Sequence, residues 1–327
     1  MEIACRSLIT VLATIFGTGL LSTSTAASTD FPTQPIKIVV PYSPGGTNDV
    51  VVRLVGKKLS EQIGQPVIVE NKVGASGNIG AEAVARSKPD GYTLLLVTTG
   101  HTIHPSLYKN LRYDITKDLT GVSRLSSGPM LIMVNPKDNI NTLQDLIKRA
   151  KDKPDSLNYA SAGNGSTTHL TTELLSSRAG LKMTHIPFGG SAPAMADVMA
   201  GNTQVVLDLM FSAMPQIESG RLKALAITGS ERSPLLPNVP TVAQAGIPGF
   251  NALVWNGIMA PAHTPTPVIE KLNAEFKKIL ATPDIQKRLA DQGFPADWST
   301  PADFNKQIQS EISQWAPVVK SSGAQVQ

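Results

Sequence analysis

The 327 residues contain one cysteine, Cys5. It precedes the apolar segment near the N-terminus, whereas a lipoprotein acceptor cysteine would close such a segment. Everything downstream therefore lacks the chemistry of disulfides, thiol nucleophiles and thiolate metal sites. Aromatic residues are few, at 5%, and charged residues make up only 17%. Twenty-nine Lys and Arg stand against twenty-five Asp and Glu, a net charge of +4. No run of five or more basic residues provides a nucleic-acid footprint, so no nucleic-acid partner is expected. The mild positive field suits anionic ligands only in a general way.

Motifs for nucleotides and for covalent catalysis are also missing. There is no G-x-x-x-x-G-K-[ST], and neither glycine loop described below completes G-x-G-x-x-G. Gly74-Ala75-Ser76-Gly77 lacks the second spacing of a G-x-S-x-G elbow. No acidic pair is spaced for acid–base work. His101 and His104 are three apart, but Pro105 follows them, so no helix is expected to present both rings on one face. Neither a metal nor a cofactor is expected.

A leader and a globular chain are present. Arg6 supplies a short positive region beside Glu2, Ser7 to Leu21 is apolar, and Ser24-Thr25-Ala26-Ala27 offers small residues to a signal peptidase. The apolar run falls short of the ~20 residues that cross a bilayer. A signal peptide over 1–27 and export are thus expected. The remaining length exceeds one typical core and points to two domains. Hydrophobic content of 41%, with 26 Gly and 24 Pro, fits a folded chain with many turns.

Strand and helix patterns alternate and then repeat. Ile36 to Val40 reads as a strand, entering Tyr42-Ser43-Pro44-Gly45-Gly46-Thr47-Asn48-Asp49 and then a helix with Val52, Leu54, Val55, Leu59 and Ile63 at helical spacing. Val67 to Val69 follows, then Gly74 to Gly77, a helix over Ile79–Arg86, and the strand Tyr92–Val97 ending in Thr98-Thr99-Gly100. About 120 residues later the order recurs. Leu157 to Ala160 enters Ser161-Ala162-Gly163-Asn164-Gly165-Ser166-Thr167-Thr168, followed by a helix with Leu170, Leu174 and Leu175. Met183 to Ile186 then leads to Phe188-Gly189-Gly190-Ser191, a helix over Ala194–Ala200 and the strand Gln204–Leu207, closed by Asp208. This alternation implies α/β lobes with mainly parallel sheets. Gly121–Val134 and Asn251–Pro261 read as crossing segments, the first containing the strand Met130–Val134 and the second Leu253–Met259. Helices over Pro267–Leu280, Asp284–Gln292 and Pro301–Trp315 return to the first lobe. The expected division is 28–126 with 252–327 as lobe 1 and 127–251 as lobe 2, joined as a hinge.

Ligands of open α/β sheets sit beyond the carboxyl ends of the strands. Each glycine loop lies there and feeds a helix N-terminus, where free N–H groups and the helix dipole attract anions. The loops hold no Lys or Arg, so a carboxylate would be gripped by N–H groups and by the hydroxyls of Ser43, Thr47, Ser166, Thr167 and Thr168. Two readings stand for Asp49, a helix-start charge or a ligand contact, and two for Asp208, a ligand acceptor or a helix cap. His169 can reach a ligand or pack, and Trp255 can be core or platform.

Several segments in order resemble the Bug receptors, the substrate-binding subunits of tripartite tricarboxylate transporters. They are Val40 to Asp49, Val69 to Gly80, Pro89-Asp90-Gly91-Tyr92-Thr93-Leu94, Tyr159 to Ser166, Leu222 to Ile227 and Pro237 to Val242. The resemblance implies a two-lobed periplasmic binding protein, type II-like, that is monomeric and not an enzyme. It would bind a small organic carboxylate (a di- or tricarboxylate, an acidic amino acid or an aromatic acid) and hand it to membrane transporter subunits of the tripartite type. The implied ligand-binding set is Tyr42, Ser43, Gly45, Gly46, Thr47, Asn48, Asp49, Thr98, His101, Ala162, Gly163, Asn164, Ser166, Thr167, Thr168 and Asp208. His104 stands where the family usually has Asn. The alternatives are an exported hydrolase pairing Ser166 with His169 or His101, and an extracytoplasmic sensor for a membrane kinase.

Overall fold

The structure is a computed structural model that describes residues 31–326. The expected leader over 1–27 lies outside the described residues, as does the side chain of Thr47.

Apolar runs make the strands and glycines end the helices. β1 (Ile36–Val40) is buried on both faces, with Ile36, Ile38, Val39 and Val40 at 3% exposure or less. α1 (Thr47–Ile63) buries Val51, Val52, Val55 and Leu59 on one stripe and stops at Gly64, which is left-handed and donates its N–H to Ser60 O. β2 (Val67–Asn71), α2 (Asn78–Ala85) and β3 (Thr93–Thr98) complete a parallel set in which β1 lies between β2 and β3.

α3 (Gly100–Leu107) departs from the sequence reading, which placed no helix there. Pro105 lies within it, and the one lost N–H is tolerated while Ile103 and Leu107 are buried. Next comes β4 (Leu119–Val134), then α4 (Leu143–Asp152), which opens on a Thr142–Asp145 capping box. The second α/β set comprises β5 (Asn158–Ser161), α5 (Thr167–Ala179), β6 (Thr184–Pro187), α6 (Ser191–Ala200), β7 (Val205–Leu209), α7 (Met210–Glu218) and β8 (Lys223–Ile227). β9 (Leu253–Pro261), α8 (Thr266–Leu280), α9 (Pro283–Asp291) and α10 (Pro301–Ser322) finish the described chain.

The strand order is β2-β1-β3-β9-β4-β7-β5-β6, with β8 also on β4. The parallel expectation holds within β1–β3 and within β5–β7. The two crossing strands run antiparallel to those sets and to each other, from Leu119↔Pro261 to Pro129↔Leu253. A ribbon of β4 and β9 therefore joins the two sets. α10 continues past the expected Trp315 and through Pro317. Its Phe304 and Ile308 join the core around Val39, Leu95 and Trp255, while Trp315, Val318 and Val319 join the core around Ile132, Tyr159 and Leu174. That second burial keeps it helical beyond the proline.

Candidate functional site

The carboxyl ends of β3, β5 and β7 and the N-termini of α1, α3, α5 and α6 surround a cavity of about 380 Å³, within the usual range for small-molecule sites. Ten of the residues expected from the sequence line it: Tyr42, Asn48, Thr98, Ala162, Gly163, Asn164, Ser166, Thr167, Thr168 and Asp208. Three of the helix starts lack a side-chain cap, at Gly46 before α1, Thr99 before α3 and Gly190 before α6. Their first N–H groups thus have no side-chain acceptor, and the helix dipoles point positive ends at the same space. No Lys, Arg or Glu is among the lining residues.

The fourth helix start is built differently. Ser166 Oγ caps α5 by accepting the His169 N–H at 3.2 Å, and it lies 3.0 Å from Thr168 Oγ1, which accepts the Ala162 N–H at 2.9 Å. These hydroxyls hold the loop and face the cavity together. Ser166→Ala is expected to lower stability by about 1 kcal/mol, the usual worth of such a cap, and to weaken binding of any ligand seated in the cavity about tenfold through loop disorder and a lost donor. Chemical denaturation and titration calorimetry on the same protein check both.

Asp208 is 1% exposed at the end of β7. Its Oδ1 accepts from the Leu209 N–H at 2.7 Å and from Ser212 Oγ at 2.6 Å. Burial pushes its carboxyl up, and the nearby Ser191, Ser212 and Leu209 N–H offset part of that rise. Oδ2 has no hydrogen-bond partner of normal geometry. One oxygen thus ties the end of β7 to Ser212 in the first turn of α7, and the residue lines the cavity.

The remaining expected residues stand back from the cavity. Ser43, Gly45 and Gly46 are exposed and do not line it. Asp49 is buried behind the loop, where Oδ2 accepts from the Gly45 N–H and Arg53 Nε, both at 2.9 Å, and Oδ1 from Asn71 Nδ2 at 2.8 Å. Burial raises its pKa, but these donors outweigh it and hold the carboxyl below its ordinary value. Asn71 also donates to Tyr42 O, so this cluster shapes the first loop from beneath. His101 is fully buried; its Nδ1 accepts the Thr98 N–H at 3.1 Å, and burial lowers its pKa to about 4.

The open alternatives for two rings are decided by packing. His169 Nδ1 accepts the Gly165 N–H at 3.0 Å, and the ring stacks on His185 at 3.8 Å between centroids, with His185 stacked in turn on Tyr159. The ring supports the loop from below and does not line the cavity. Burial, and then the neighbouring His185, bring its pKa to about 4. Ser166 Oγ accepts the His169 main-chain N–H and shares no hydrogen bond with this ring. Ser161 and His185 do meet, at 2.6 Å, but Ser161 is fully buried under the loop. Trp255 is core: it is buried against Phe304, with Nε1 donating to Glu311.

The sequence reading missed part of the wall. Ser76, His104, Tyr108, Ser191, Phe294 and Val326 also line the cavity, beside Gly100 of the expected loop after β3. Ser191 ends a glycine loop that the pattern did identify. His104 depends on α3, which Pro105 masked. Phe294 and Val326 come from far along the chain and carry no local signal. Among the described residues no cluster of three His, Cys, Asp or Glu could hold a metal, and no helix is long and apolar enough to cross a membrane.

Comparison with known proteins gives a consistent result. A family model described as tripartite tricarboxylate transporter family receptor matches residues 51–324. The chain is 36% identical to the protein BugT of Bordetella pertussis over 98% of both chains. Among solved structures, an R. palustris protein with adipate shares 35% identity at a TM-score of 0.77, covering 91% of this chain and 100% of that one. MatC from Rhodopseudomonas palustris with bound malate shares 34% at 0.74, covering 88% and 100%.

Proposed function

The chain belongs to the tripartite tricarboxylate transporter receptor family, and from that premise we propose that it is a periplasmic receptor that captures a small organic carboxylate in this cavity for delivery to membrane subunits of a tripartite transporter. The observation that carries the reading is the wall itself: helix N-termini and hydroxyls converge on a space without Lys or Arg. Such a wall seats an anion through many modest hydrogen bonds and needs no ion pair. A grip of this kind suits a protein that must also let go. The acids bound to the two similar R. palustris proteins, adipate and malate, are of the proposed class.

The two-lobe division at residues 126/127 and 251/252 forms part of the proposal. Closure would bring the α1 and α3 side of the cavity toward the α5 and α6 side by flexing the β4–β9 ribbon. The tested consequence is stabilisation by cargo. An acid with a Kd of ~1 μM, present at ~100 μM, raises stability by about 2.7 kcal/mol, readable as a shift in melting temperature. A panel of C3–C8 mono-, di- and tricarboxylates, acidic amino acids and aromatic acids is expected to contain such a compound. A shift produced by neutral sugars or by cations, with none from any acid, would overturn the reading.

A further inference from the structure

Resting on the carboxylate reading above, the cavity also says what else the cargo carries. His104 is 5% exposed and lines the wall from α3. Its Nδ1 lies 2.8 Å from Asn78 Oδ1, and the Tyr113 hydroxyl donates to the same oxygen at 2.9 Å. With the Asn78 amide placed this way the oxygen accepts from both, so the ring proton sits on Nδ1. Nε2 is left as a bare acceptor with no protein partner among the described residues.

Around that nitrogen lies a small open corner. A Cβ built on Gly100 would stand 3.4 Å from Thr98 Oγ1, 3.6 Å from His104 Nε2 and 3.9 Å from the Tyr42 hydroxyl oxygen. The corner is therefore lined by three polar atoms and filled by no side chain. Tyr42 and Thr98 are already hydrogen-bonded to each other at 2.8 Å. Elsewhere on the wall Asp208 Oδ2 is a second acceptor, with Ser191 nearby and no partner of normal geometry among the described residues. A plain dicarboxylate would bring only further acceptors to these positions.

We propose that the cargo bears a hydroxyl or amino group beside its carboxylate, and that this group donates to His104 Nε2 in the corner left open at Gly100. His104 then acts as a specificity-determining residue. The helix N-termini hold the charge, and the imidazole selects the substituent. A site built to pair with a hydroxyl or amine discriminates against the analogue that lacks it, because its own buried acceptor is then left unpaired.

The test is titration calorimetry of the purified protein with matched acids: succinate against malate and aspartate, glutarate against 2-hydroxyglutarate and glutamate, and benzoate against 2-hydroxybenzoate. In at least one set the substituted acid should bind about 10- to 100-fold more tightly than the plain one. His104→Phe should close that gap, bringing the affinities of the substituted and plain acids to within about threefold of each other, because the selective acceptor is gone while the helix N-termini remain. His104→Gln, which retains an acceptor, should restore part of the gap. Gly100→Ala offers a second route. Its Cβ sits at ordinary contact distances, so the fold should melt as before while the preference disappears. Equal affinities, a preference for the plain acids as the opposite tautomer would give, or a gap that survives His104→Phe would overturn the inference alone. If no acid in any set binds, the carboxylate reading falls with it.

Discussion

Between pH 7 and pH 5 the protein is expected to lose about 4 kcal/mol of stability at two histidines, His101 and His169. His101 and His169 titrate at about 4 in the fold, against 6.5 when free. A depressed histidine pKa means that the unfolded chain binds more protons than the folded one throughout the window from 6.5 down to 4. Stability is then complete above pH 6.5 and drains as the pH falls toward 4. Each of the two groups costs about 2 kcal/mol by pH 5 and about 3 kcal/mol below pH 4. His104 and His185 shift in the same direction, His104 strongly, because burial disfavours their charged forms. Asp208 and Glu311, whose carboxyls burial raises, act in the opposite sense.

The local consequence concerns the second glycine loop. A protonated His169 carries hydrogen on both ring nitrogens and can no longer accept the Gly165 N–H. It would also stack as a cation on His185 at 3.8 Å. The melting temperature should fall by roughly 5–10 °C from pH 7 to pH 5. His169→Gln keeps an acceptor near the Gly165 N–H but cannot titrate, so its profile should be visibly shallower. A melting temperature that is flat over this range, or an unchanged slope in His169→Gln, would contradict the account.

The second large effect is expected at Gly128 on β4, where the ribbon admits no side chain. A Cβ there would fall 2.4 Å from Gly293 O, a main-chain atom that cannot rotate away. Nor can the 293–297 segment retreat. The Ser127 N–H donates to Pro295 O at 3.1 Å, Ser127 Oγ donates to Asp297, and Asp297 is held again by Arg124 at 2.6 Å and by its own N–H to Leu125 O. Gly128→Ala should therefore cost about 3 kcal/mol, the upper end of overpacking penalties. It should weaken binding as well, since Phe294, next to the displaced oxygen, lines the cavity. Gly189→Ala, where a Cβ meets nothing within 4 Å, is the control and should stay within about 0.5 kcal/mol of the parent. Equal stability of the two variants in denaturant titrations would show that the ribbon yields where it is described as locked.

Much of this architecture is legible in the sequence because it is local. Runs such as Ile36–Val40 and Gln204–Leu207 declare buried strands, and the glycine loops that follow strands declare helix starts; ten of the sixteen expected contacts do line the cavity. What is not legible depends on partners distant in the chain. Asp49 sits in a loop that points to ligand contact, yet Asn71 and Arg53 claim its oxygens from behind. Pro105 argues against a helix that tertiary burial nonetheless forms. Phe294 and Val326 reach the cavity only because β9 and α10 return across both sets of strands. Periodicity has no means of reporting such returns.

The three uncapped helix starts also bear on how this scaffold can diversify. Their contribution to the cavity is main-chain N–H, which every residue except proline supplies. Under the proposed carboxylate reading, point substitutions along the wall therefore leave the seat for the charge in place while they reshape what surrounds it, at His104, Ser191 or Asp208. A lineage built on such a pocket can exchange cargoes by single steps without passing through a form that has lost its hold on anions.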